Sequence, residues 1–414
     1  MALGWPRKGA DMRKIGFISL FSGAGGLDIG LEDAGFSCLY ASDIDAAAHQ
    51  TLVANKARDP LHLNDAVIER ADVSLLTGEH ILDEIGAVRG QVPLLVGGPP
   101  CQSWSSAGHQ KGWLDPRGRL FDDFVRLANE LDVRWLMFEN VRGLLTARGP
   151  DGVPGSALGL IRTKLLDAGF QTQVSLLNAA DYGIPQRRVR LVVFGYRIGD
   201  QLQFPQPSHN KAGLGKPWIS MSKALEAVGA LEQSEVIRPN EKLFSELCQL
   251  RPGMGVKSPG KQEATRPGGH WGYKQGAFIA DTDRPARTVT ANPQQDWVID
   301  QALGIRRLCP RECATLQTFP REWIFVGKRT DQYRLIGNAV PPLLARQIGE
   351  ALREHVLKSW QQSRTSVVSL QPLAPKLQAA IQYTAKEEQR NGASRRLAPN
   401  RRGIGRSEVA LGSR

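Results

Sequence analysis

Short apolar runs alternate with amphipathic stretches along the chain from Ile15 onward. The runs cover residues 15–21, 38–41, 92–96, 135–138 and 189–194. Between them lie segments with helical spacing; one such segment places five apolar residues on a single face, namely Phe121, Phe124, Val125, Ala128 and Leu131. Apolar runs separated by helices are typical of strands buried on both faces. The pattern therefore predicts an α/β fold with a mostly parallel sheet.

A second amphipathic stretch closes this region. Leu344, Ile348, Leu352 and Val356 repeat every four residues after a Pro-Pro pair, which predicts a helix with a fixed start.

Residues 197–304 interrupt the α/β pattern. Between Pro252 and Gly276, ten of 25 residues are Gly or Pro, which favours loops on a small scaffold. We interpret 197–304 as an inserted domain.

The chain thus divides into five parts. We expect an N-terminal extension over 1–14, the first part of the α/β domain over 15–196, the insert over 197–304, a segment completing the α/β domain over 305–358, and a tail over 359–414. From residue 361 the tail has ten basic and three acidic residues with few large apolar ones. This composition predicts a basic, disordered tail.

The formal charge of +12, from 53 basic and 41 acidic residues among 414, points only weakly towards a polyanionic partner. The tail accounts for a surplus of seven, and 197–304, with thirteen basic and eleven acidic residues, for two. Five cysteines without paired spacing argue against a disulfide framework and for a reducing cytoplasm. The absence of an apolar run near 18 residues argues against membrane spans, and the N-terminus has no signal-peptide pattern.

A glycine-rich segment follows the first predicted strand. It consists of Phe21, Ser22, Gly23, Ala24, Gly25 and Gly26. Glycines at the carboxyl end of a strand let the backbone approach a ligand, but the spacing is not the G-x-G-x-x-G of dinucleotide sites. Asp43, twenty residues after Gly23, could bind ribose hydroxyls, and Asp72, at the end of a strand predicted over 67–73, an adenine amino group. The alternative is that each acid caps a loop. A nucleoside without a pyrophosphate fits best.

A cysteine follows the predicted strand 92–96. The intervening residues Gly97-Gly98-Pro99-Pro100 are rigid and small, and they fix where the Cys101 sulfur points, as a nucleophile requires. A free cysteine is more often a buried core residue. Small polar residues surround Cys101 here, which favours the nucleophile.

Charged residues lie at the ends of two further strands. Glu139 follows the apolar run 135–138, at the same edge as Cys101, and could act as an acid or base. Arg188 and Arg190 are two residues apart in an extended run and therefore share one face, where they could grip a phosphate or a base carbonyl. Taken singly, each arginine could equally lie on a solvated strand.

In this order the motifs resemble those of the DNA (cytosine-5) methyltransferases. The matching segments are 21–26, Pro99-Pro-Cys-Gln102, Glu139-Asn-Val141, Gln186-Arg-Arg-Val-Arg190, 307–313 with 316–320, and Gly337-Asn-Ala-Val-Pro-Pro342. The resemblance implies a Rossmann-like, S-adenosylmethionine-dependent methyltransferase domain into which a small target-recognition domain, residues 197–304, is inserted.

The resemblance also implies the chemistry. Cys101 would add to C6 of a flipped cytosine, Glu139 would donate at N3, Arg190 would hold O2, and Arg188 the nearby backbone. For the cofactor it implies the backbone of 21–26, with the further residues Asp43 at the ribose, Ile44 against adenine, Asp72 and Val73 at the adenine edge, Pro99, and Asn338 near the methionine end. No metal is expected.

Double-stranded DNA is the implied partner. Residues 102–120 resemble the family's lid, with Gln102 and Ser105 as DNA contacts, and Thr288 and Thr290 resemble a segment that contacts phosphate. Trp104 stands where many members have Phe. The resemblance further implies a cytoplasmic monomer in a restriction-modification system, with a restriction endonuclease that acts on the same site. The recognised sequence and the base that removes the C5 proton are not readable from the chain.

Three other functions are less consistent with the motifs. An RNA cytosine methyltransferase would have a second cysteine motif or a Cys-Phe-Thr motif, neither of which is present. A catalytically silent DNA-binding protein would not need the complete set of catalytic residues. An NAD-dependent oxidoreductase would have different glycine spacing. The short N-terminal extension also argues against a transcriptional role.

Overall fold

The computed structural model describes residues 14–100, 116–199, 201–211, 215–257, 276–362 and 370–397. The strands are β1 (Ile15–Leu20), β2 (Phe36–Ser42), β3 (Val67–Glu69), β4 (Leu94–Gly97), β5 (Trp135–Val141), β6 (Gln171–Asn178), β7 (Val189–Tyr196), β8 (His209–Asn210), β9 (Lys216–Pro217), β10 (Met254–Gly255), β11 (Phe278–Ile279), β12 (Trp297–Asp300) and β13 (Gly304–Arg307). The α-helices are α1 (Gly26–Asp33), α2 (Ala46–Lys56), α3 (Gly78–Glu84), α4 (Pro116–Glu130), α5 (Ser156–Asp167), α6 (Met221–Leu225), α7 (Glu241–Cys248), α8 (Pro310–Leu316), α9 (Arg329–Asn338), α10 (Pro342–Ser359) and α11 (Pro375–Leu397).

Seven strands form the main sheet in the order β3-β2-β1-β4-β5-β7-β6. The five strands from β3 to β5 are parallel, whereas β7 is antiparallel to both of its neighbours. The predicted α/β class with a mostly parallel sheet is therefore confirmed. The strand order reverses between β1 and β4. In open parallel sheets this reversal opens a crevice at the carboxyl ends of the two strands, where ligands bind.

Apolar side chains cover both faces of the sheet, because successive residues of a strand point to opposite sides. Phe17 and Trp135 belong to a core that includes residues of α1 and α10, whereas Ile18 and Leu136 belong to a core with residues of α3, α4 and α5. This burial explains why the strands are continuous apolar runs in the sequence.

Helices α1 and α10 pack at very short range. A Cβ atom added to Gly30 in α1 would lie 2.3 Å from the carbonyl oxygen of Pro342 and 2.4 Å from Cβ of Ala345. The approach therefore needs a residue without a side chain. This contact joins helix α1, which follows β1, to the C-terminal part of the α/β domain.

Three strand predictions need correction. The strand predicted over 67–73 ends at Glu69, so Asp72 lies in a turn beyond it. Strand β5 extends to Val141, so Glu139 lies inside the strand instead of after it. Strand β6 was not predicted, because the polar side chains Gln171, Gln173 and Asn178 lie within it and it forms no continuous apolar run.

A four-stranded sheet has the order β10-β11-β12-β13; its first three strands belong to the inserted region, and β13 continues past residue 304 into the segment that follows. It has a small core of its own, which includes Leu247, Ile279 and Trp297. Other residues of the region, including Ala286 and Val289, belong to the main core on the α1 side of the sheet. The inserted region is thus tied into the α/β domain by shared packing.

The tail differs from the disordered segment expected over 359–414. Residues Pro375–Leu397 form α11, and Leu377 is 5% exposed within the main core on the α5 side. Leu373, Ala380 and Ile381 pack partly buried against the same core. A short stripe of apolar residues at helical spacing outweighs the polar average composition on which the expectation rested.

The contact between α1 and α10 generates the first prediction. We expect Gly30→Ala to lower the free energy of unfolding by about 3 kcal/mol, because the new methyl group overlaps backbone that cannot move freely. Gly159→Ala in α5 is the matched control: its Cβ would meet nothing within 4 Å. Replacing that glycine should stabilise the helix by about 0.5–1 kcal/mol. Urea denaturation measures the free energy of unfolding of both variants. Equal changes in the two variants would contradict the packing argument.

Candidate active site

The crevice between β1 and β4 brings the two motif loops of the α/β domain together. The glycine-rich segment 21–26 leaves the carboxyl end of β1, and Gly98, Pro99 and Pro100 leave the carboxyl end of β4. β2 and β5 flank this pair, so Asp43 and Glu139 lie at the same edge. Cys101, Gln102 and Ser105 lie outside the described residues.

Backbone strain shapes the glycine-rich segment. Phe21 has a φ of 57°, a left-handed value that is rare for residues with a side chain, and Gly23 has a φ of 56°. The Gly23 amide donates to Oδ2 of Asp43 at 2.9 Å, and the Asp45 amide donates to Oδ1 at 2.9 Å. Strain of this kind persists where the surrounding structure imposes it, and it is frequent at binding sites.

The later part of the chain holds this loop in place. Nε1 of Trp323 donates to the carbonyl oxygen of Ala24 at 3.1 Å, and Trp323 is buried. Its ring also lies beside Gly25, where an added Cβ would come within 3.2 Å of Cζ2. The sequence reading missed this residue. A large aromatic three residues after the Leu316–Pro320 motif was the available signal.

The groups predicted to bind a nucleoside differ in their surroundings. Burial raises the pKa of the Asp43 carboxyl, and the two amide donors from Asp45 and Gly23 oppose that rise. Ile44 beside it is 58% exposed, unusually high for a large apolar side chain. Oδ1 of Asp72 accepts from the amide and the hydroxyl of Ser74, and the Val73 side chain is buried in the core. Val73 can therefore offer a ligand only its backbone.

A second carboxyl lies beneath the loop. Asp28, in the first turn of α1, is fully buried, and burial raises its pKa to about 7. The nearby Ser19 side chain opposes the rise, whereas the acids Glu32 and Asp43 add to it. Burial therefore favours the protonated, neutral form of this carboxyl beneath the loop.

The end of β5 is bonded to the segment that leads to Cys101. Nδ2 of Asn140 donates to the carbonyl oxygen of Pro99 at 3.0 Å, and both groups are buried. A Cβ added to Gly98 would lie 3.8 Å from Oε2 of Glu139. The Glu139 carboxyl is therefore adjacent to the backbone that precedes Cys101. The sequence reading quoted Asn140 within a motif but gave it no role.

Glu139 and Arg190 form a buried ion pair. Nε of Arg190 lies 2.6 Å from Oε1 of Glu139, and the two side chains are 11% and 12% exposed. The pair is diagonal across β5 and β7, because Glu139 faces Val192 and Arg190 faces Val141 in the register. Burial raises the pKa of Glu139, while the charges of Arg190 and Arg188 oppose the rise. A carboxyl in these surroundings can hold a proton at a higher pH than a solvated one.

Arg188 has a different position from the one expected of a ligand contact. It is fully buried, and its guanidinium donates to the carbonyl oxygens of Val289 at 2.9 Å and of Gly337 and Ala339, each at 2.8 Å. These carbonyls belong to two other motifs. In this structure Arg188 joins three segments of backbone, and the expected contact with a DNA backbone is not its observed role.

Two buried glutamines extend this network; the sequence analysis quoted both within motifs but gave neither a role. Nε2 of Gln186 donates to Oε1 of Gln317 at 2.8 Å, and Oε1 of Gln186 accepts from the Val289 amide at 2.8 Å. Gln317 in turn donates to the carbonyl oxygen of Ile336 at 2.6 Å. The available signal was a side-chain amide at the first position of the arginine motif and another within the Leu316–Pro320 motif.

The remaining predicted residues lie around this network. Oγ1 of Thr288 donates to the carbonyl oxygen of Arg187 at 2.9 Å, and Thr290 is bonded to the buried side chain of Gln295. Asn338, the last residue of α9, is exposed. Gly337 before it contacts the Thr290 backbone so closely that an added Cβ would lie 2.1 Å from the Thr290 carbonyl carbon. The threonine segment and the end of α9 are thus in direct contact.

Chemically, this edge of the sheet combines two functions. The strained loop, the Asp43 carboxylate and the exposed Ile44 form a surface suited to a small ligand with a sugar and an aromatic ring. Beside it, a buried acid and a guanidinium approach the Pro-Pro turn before a cysteine. Such an arrangement suits nucleophilic attack assisted by a proton donor. Among the described residues, no helix has the length and apolar character that crossing a membrane requires.

Comparison with known proteins agrees with these features. The family model for C-5 cytosine-specific DNA methylase matches residues 15–354. Type II methyltransferase M1.HphI of Haemophilus parahaemolyticus is 32% identical over 342 residues, which cover 81% of this chain and 86% of that one. Type II methyltransferase M.NgoPII of Neisseria gonorrhoeae is 31% identical over 359 residues, covering 81% and 95%.

The fold has solved counterparts. The S. pombe Dnmt2 methyltransferase superimposes with a TM-score of 0.57 at 19% identity, covering 83% of this chain and 99% of that one. At this identity the likeness supports the fold alone. The family match spans six ordered motifs and most of the chain, and it confirms the resemblance seen in the sequence. The chain belongs to the C-5 cytosine-specific DNA methylase family and is a DNA cytosine-5 methyltransferase.

Proposed function

We propose that this enzyme transfers a methyl group from S-adenosylmethionine to C5 of a cytosine flipped out of double-stranded DNA, through a covalent bond between Cys101 and C6. The single observation that carries the proposal is the buried Glu139–Arg190 pair beside Gly98, three residues before the cysteine. It supplies an acid and a cation where the pyrimidine ring must lie if Cys101 is to reach C6.

The crevice at β1 fits S-adenosylmethionine. The strained segment 21–26 offers backbone, Asp43 offers lone pairs to ribose hydroxyls, and the exposed Ile44 offers an apolar surface to adenine. Asp72, the Val73 backbone, Pro99 and Asn338 would complete the site. The lack of a G-x-G-x-x-G spacing agrees with a ligand that has no pyrophosphate. When bound, the cofactor supplies an electrophilic methyl group.

The protein's own residues activate the cytosine. The Cys101 thiolate adds to C6 and forms a C–S bond, while Glu139 gives a proton to N3, which receives the displaced electron pair. Arg190 holds the Glu139 carboxyl and donates to the cytosine O2. The resulting enamine is nucleophilic at C5 and takes the methyl group. The C5 proton then passes to water, the C–S bond breaks with its electron pair on sulfur, and N3 returns its proton to Glu139. These steps release the product base and restore the thiolate and the acid.

We assign Arg188 a positioning role in this reaction. Its guanidinium already serves three carbonyl groups, from the threonine segment and the end of α9. It would keep Thr288 and Thr290, the proposed phosphate contacts, at a fixed distance from Arg190, which lies two residues after Arg188. Gln102 and Ser105 would contact the DNA from the lid. Residues 197–304 would act as the target-recognition domain.

The biological setting follows from the relatives. Two of them are named type II methyltransferases, enzymes that accompany restriction endonucleases. We propose that this chain acts as a cytoplasmic monomer that modifies the site cut by a cognate endonuclease. The exposed Gln294 and Arg251 in the inserted region have donors suited to base edges. Gln295, by contrast, is buried and bonded to Thr290, so it does not serve as a base contact.

Replacing the nucleophile tests the covalent step. We expect Cys101→Ser to lower methyl transfer from labelled S-adenosylmethionine to DNA by roughly 10³-fold or more, with no transfer to RNA by either protein. Wild-type enzyme should form a stable adduct with 5-fluorocytosine DNA, because fluorine at C5 blocks the elimination. Cys248→Ser, at an exposed position, is the matched control and should keep full activity. Absence of an adduct from wild-type enzyme would rule out the covalent route.

A second prediction concerns the acid. Glu139→Gln should lower the transfer rate by roughly 10²- to 10⁴-fold while DNA affinity changes little, because glutamine cannot give up a proton. Burial raises the pKa of Glu139. The wild-type rate should therefore fall as pH rises through that pKa. The rate of the glutamine variant should not show this decrease. The exposed Glu79→Gln is the control. Equal losses of rate and affinity would indicate a structural role instead.

The recognised sequence can be found in cells. Bisulfite sequencing of DNA from cells that express the wild-type enzyme should reveal 5-methylcytosine at one short recurring sequence, because the inserted region reads a fixed set of base edges. Cells that express Cys101→Ser should lack it. Scattered methylation without a common sequence would contradict a type II modification role.

A further inference from the structure

Helix α11 lies beyond the part of the chain that the family shares. The family match ends at residue 354, whereas α11 runs from Pro375 to Leu397. The helix nevertheless packs on the catalytic domain. Leu377 is 5% exposed, and Ala380 and Ile381 on the same face pack against the same core. Tyr383, on another face, is 63% exposed. The first turns of the helix thus present an apolar docking face to the domain, formed by Leu377, Ala380 and Ile381.

A buried arginine forms a second anchor. Arg162 in α5 is 6% exposed, and its Nε donates to Oγ1 of Thr172 at 3.1 Å. Its Nη2 donates to the carbonyl oxygen of Gln371, in the segment that leads into α11. Leaving a buried guanidinium without an acceptor is costly. The C-terminal segment therefore satisfies a charged group inside the catalytic domain.

The docking face also contacts the chain that follows the catalytic strand. A 3₁₀ helix, Arg142–Thr146, begins directly after β5 and is in contact with α11. Its Leu144 and Leu145 are each 1% exposed, in the core that contains Leu377. Ile381 meets the next loop at Gly155, where an added Cβ would lie 2.9 Å from Cγ2 of Ile381.

The 3₁₀ helix that α11 contacts is close in sequence to the proposed acid, Glu139. Glu139 and Asn140 precede the 3₁₀ helix by three and two residues, and Asn140 is bonded to Pro99 before Cys101. We propose that α11 is a positioning element that fixes the 3₁₀ helix and, through it, the placement of Glu139 and Asn140 relative to the nucleophile. This inference rests on the proposed catalytic roles of Glu139 and Cys101.

Full-length variants of the docking face test the proposal. Leu377→Asp should lower kcat about 10-fold or more and Leu377→Ala about threefold, while KM for DNA and for S-adenosylmethionine stays within about twofold. Leu377→Met should restore the wild-type kcat. Tyr383→Asp is the matched control, with the same new charge on the exposed face. Rates are expressed per active site, counted by adducts with 5-fluorocytosine DNA, so that unfolded protein does not contribute.

The pH profile separates positioning from a general loss of stability. If α11 places Glu139, the limb of kcat that reports this carboxyl should shift in Leu377→Ala, and Glu139→Gln should remove the difference between the two backgrounds. Unchanged kcat per active site in Leu377→Asp and Leu377→Ala, with only a lower melting temperature, would overturn the inference. If wild-type enzyme and Tyr383→Asp also failed to methylate DNA, the proposed function would be at fault instead.

Discussion

The catalytic edge depends on one buried polar network, in which Gln186, Arg188 and Gln317 join four separate motifs. Arg188 binds carbonyls of the threonine segment and the end of α9, and the glutamines link the same segments to α8. A buried guanidinium or amide stays favourable only when its partners hold their positions. Moving any one of these segments would leave polar groups unpaired inside the protein. The network therefore fixes the backbone around the site more firmly than apolar packing alone would.

This constraint explains how the inserted region and the catalytic domain act together. Ala286 and Val289 of the inserted region are buried in the main core, and Gly337 leaves no space between α9 and Thr290. The threonine segment consequently cannot shift without disturbing the strand that carries Arg190. The proposed recognition of DNA by the small sheet and the proposed chemistry at Glu139 would thus be coupled through rigid backbone.

Much of this arrangement was predictable from the sequence, because periodicity and strand ends are local features. The fold class and the edge that carries the motifs follow from apolar runs and the residues after them, whereas the extension of β5 past Glu139 does not. The internal role of Arg188 was not predictable, since an arginine in an extended run gives no sign of its partners 101 to 151 residues away. Helix α11 was missed because average composition hid the apolar stripe at Leu377. Trp323 was missed because its contact at Ala24 joins distant parts of the chain.

The close contact of Gly30 with Pro342 has a consequence for folding during synthesis on the ribosome. Helix α1 is synthesised more than 300 residues before its partner α10. At about 5–20 residues per second, synthesis keeps α1 waiting for roughly 15–60 seconds. During that time its apolar face is uncovered, and the loop that it supports cannot adopt its final form. Every new molecule therefore remains inactive until α10 has been made.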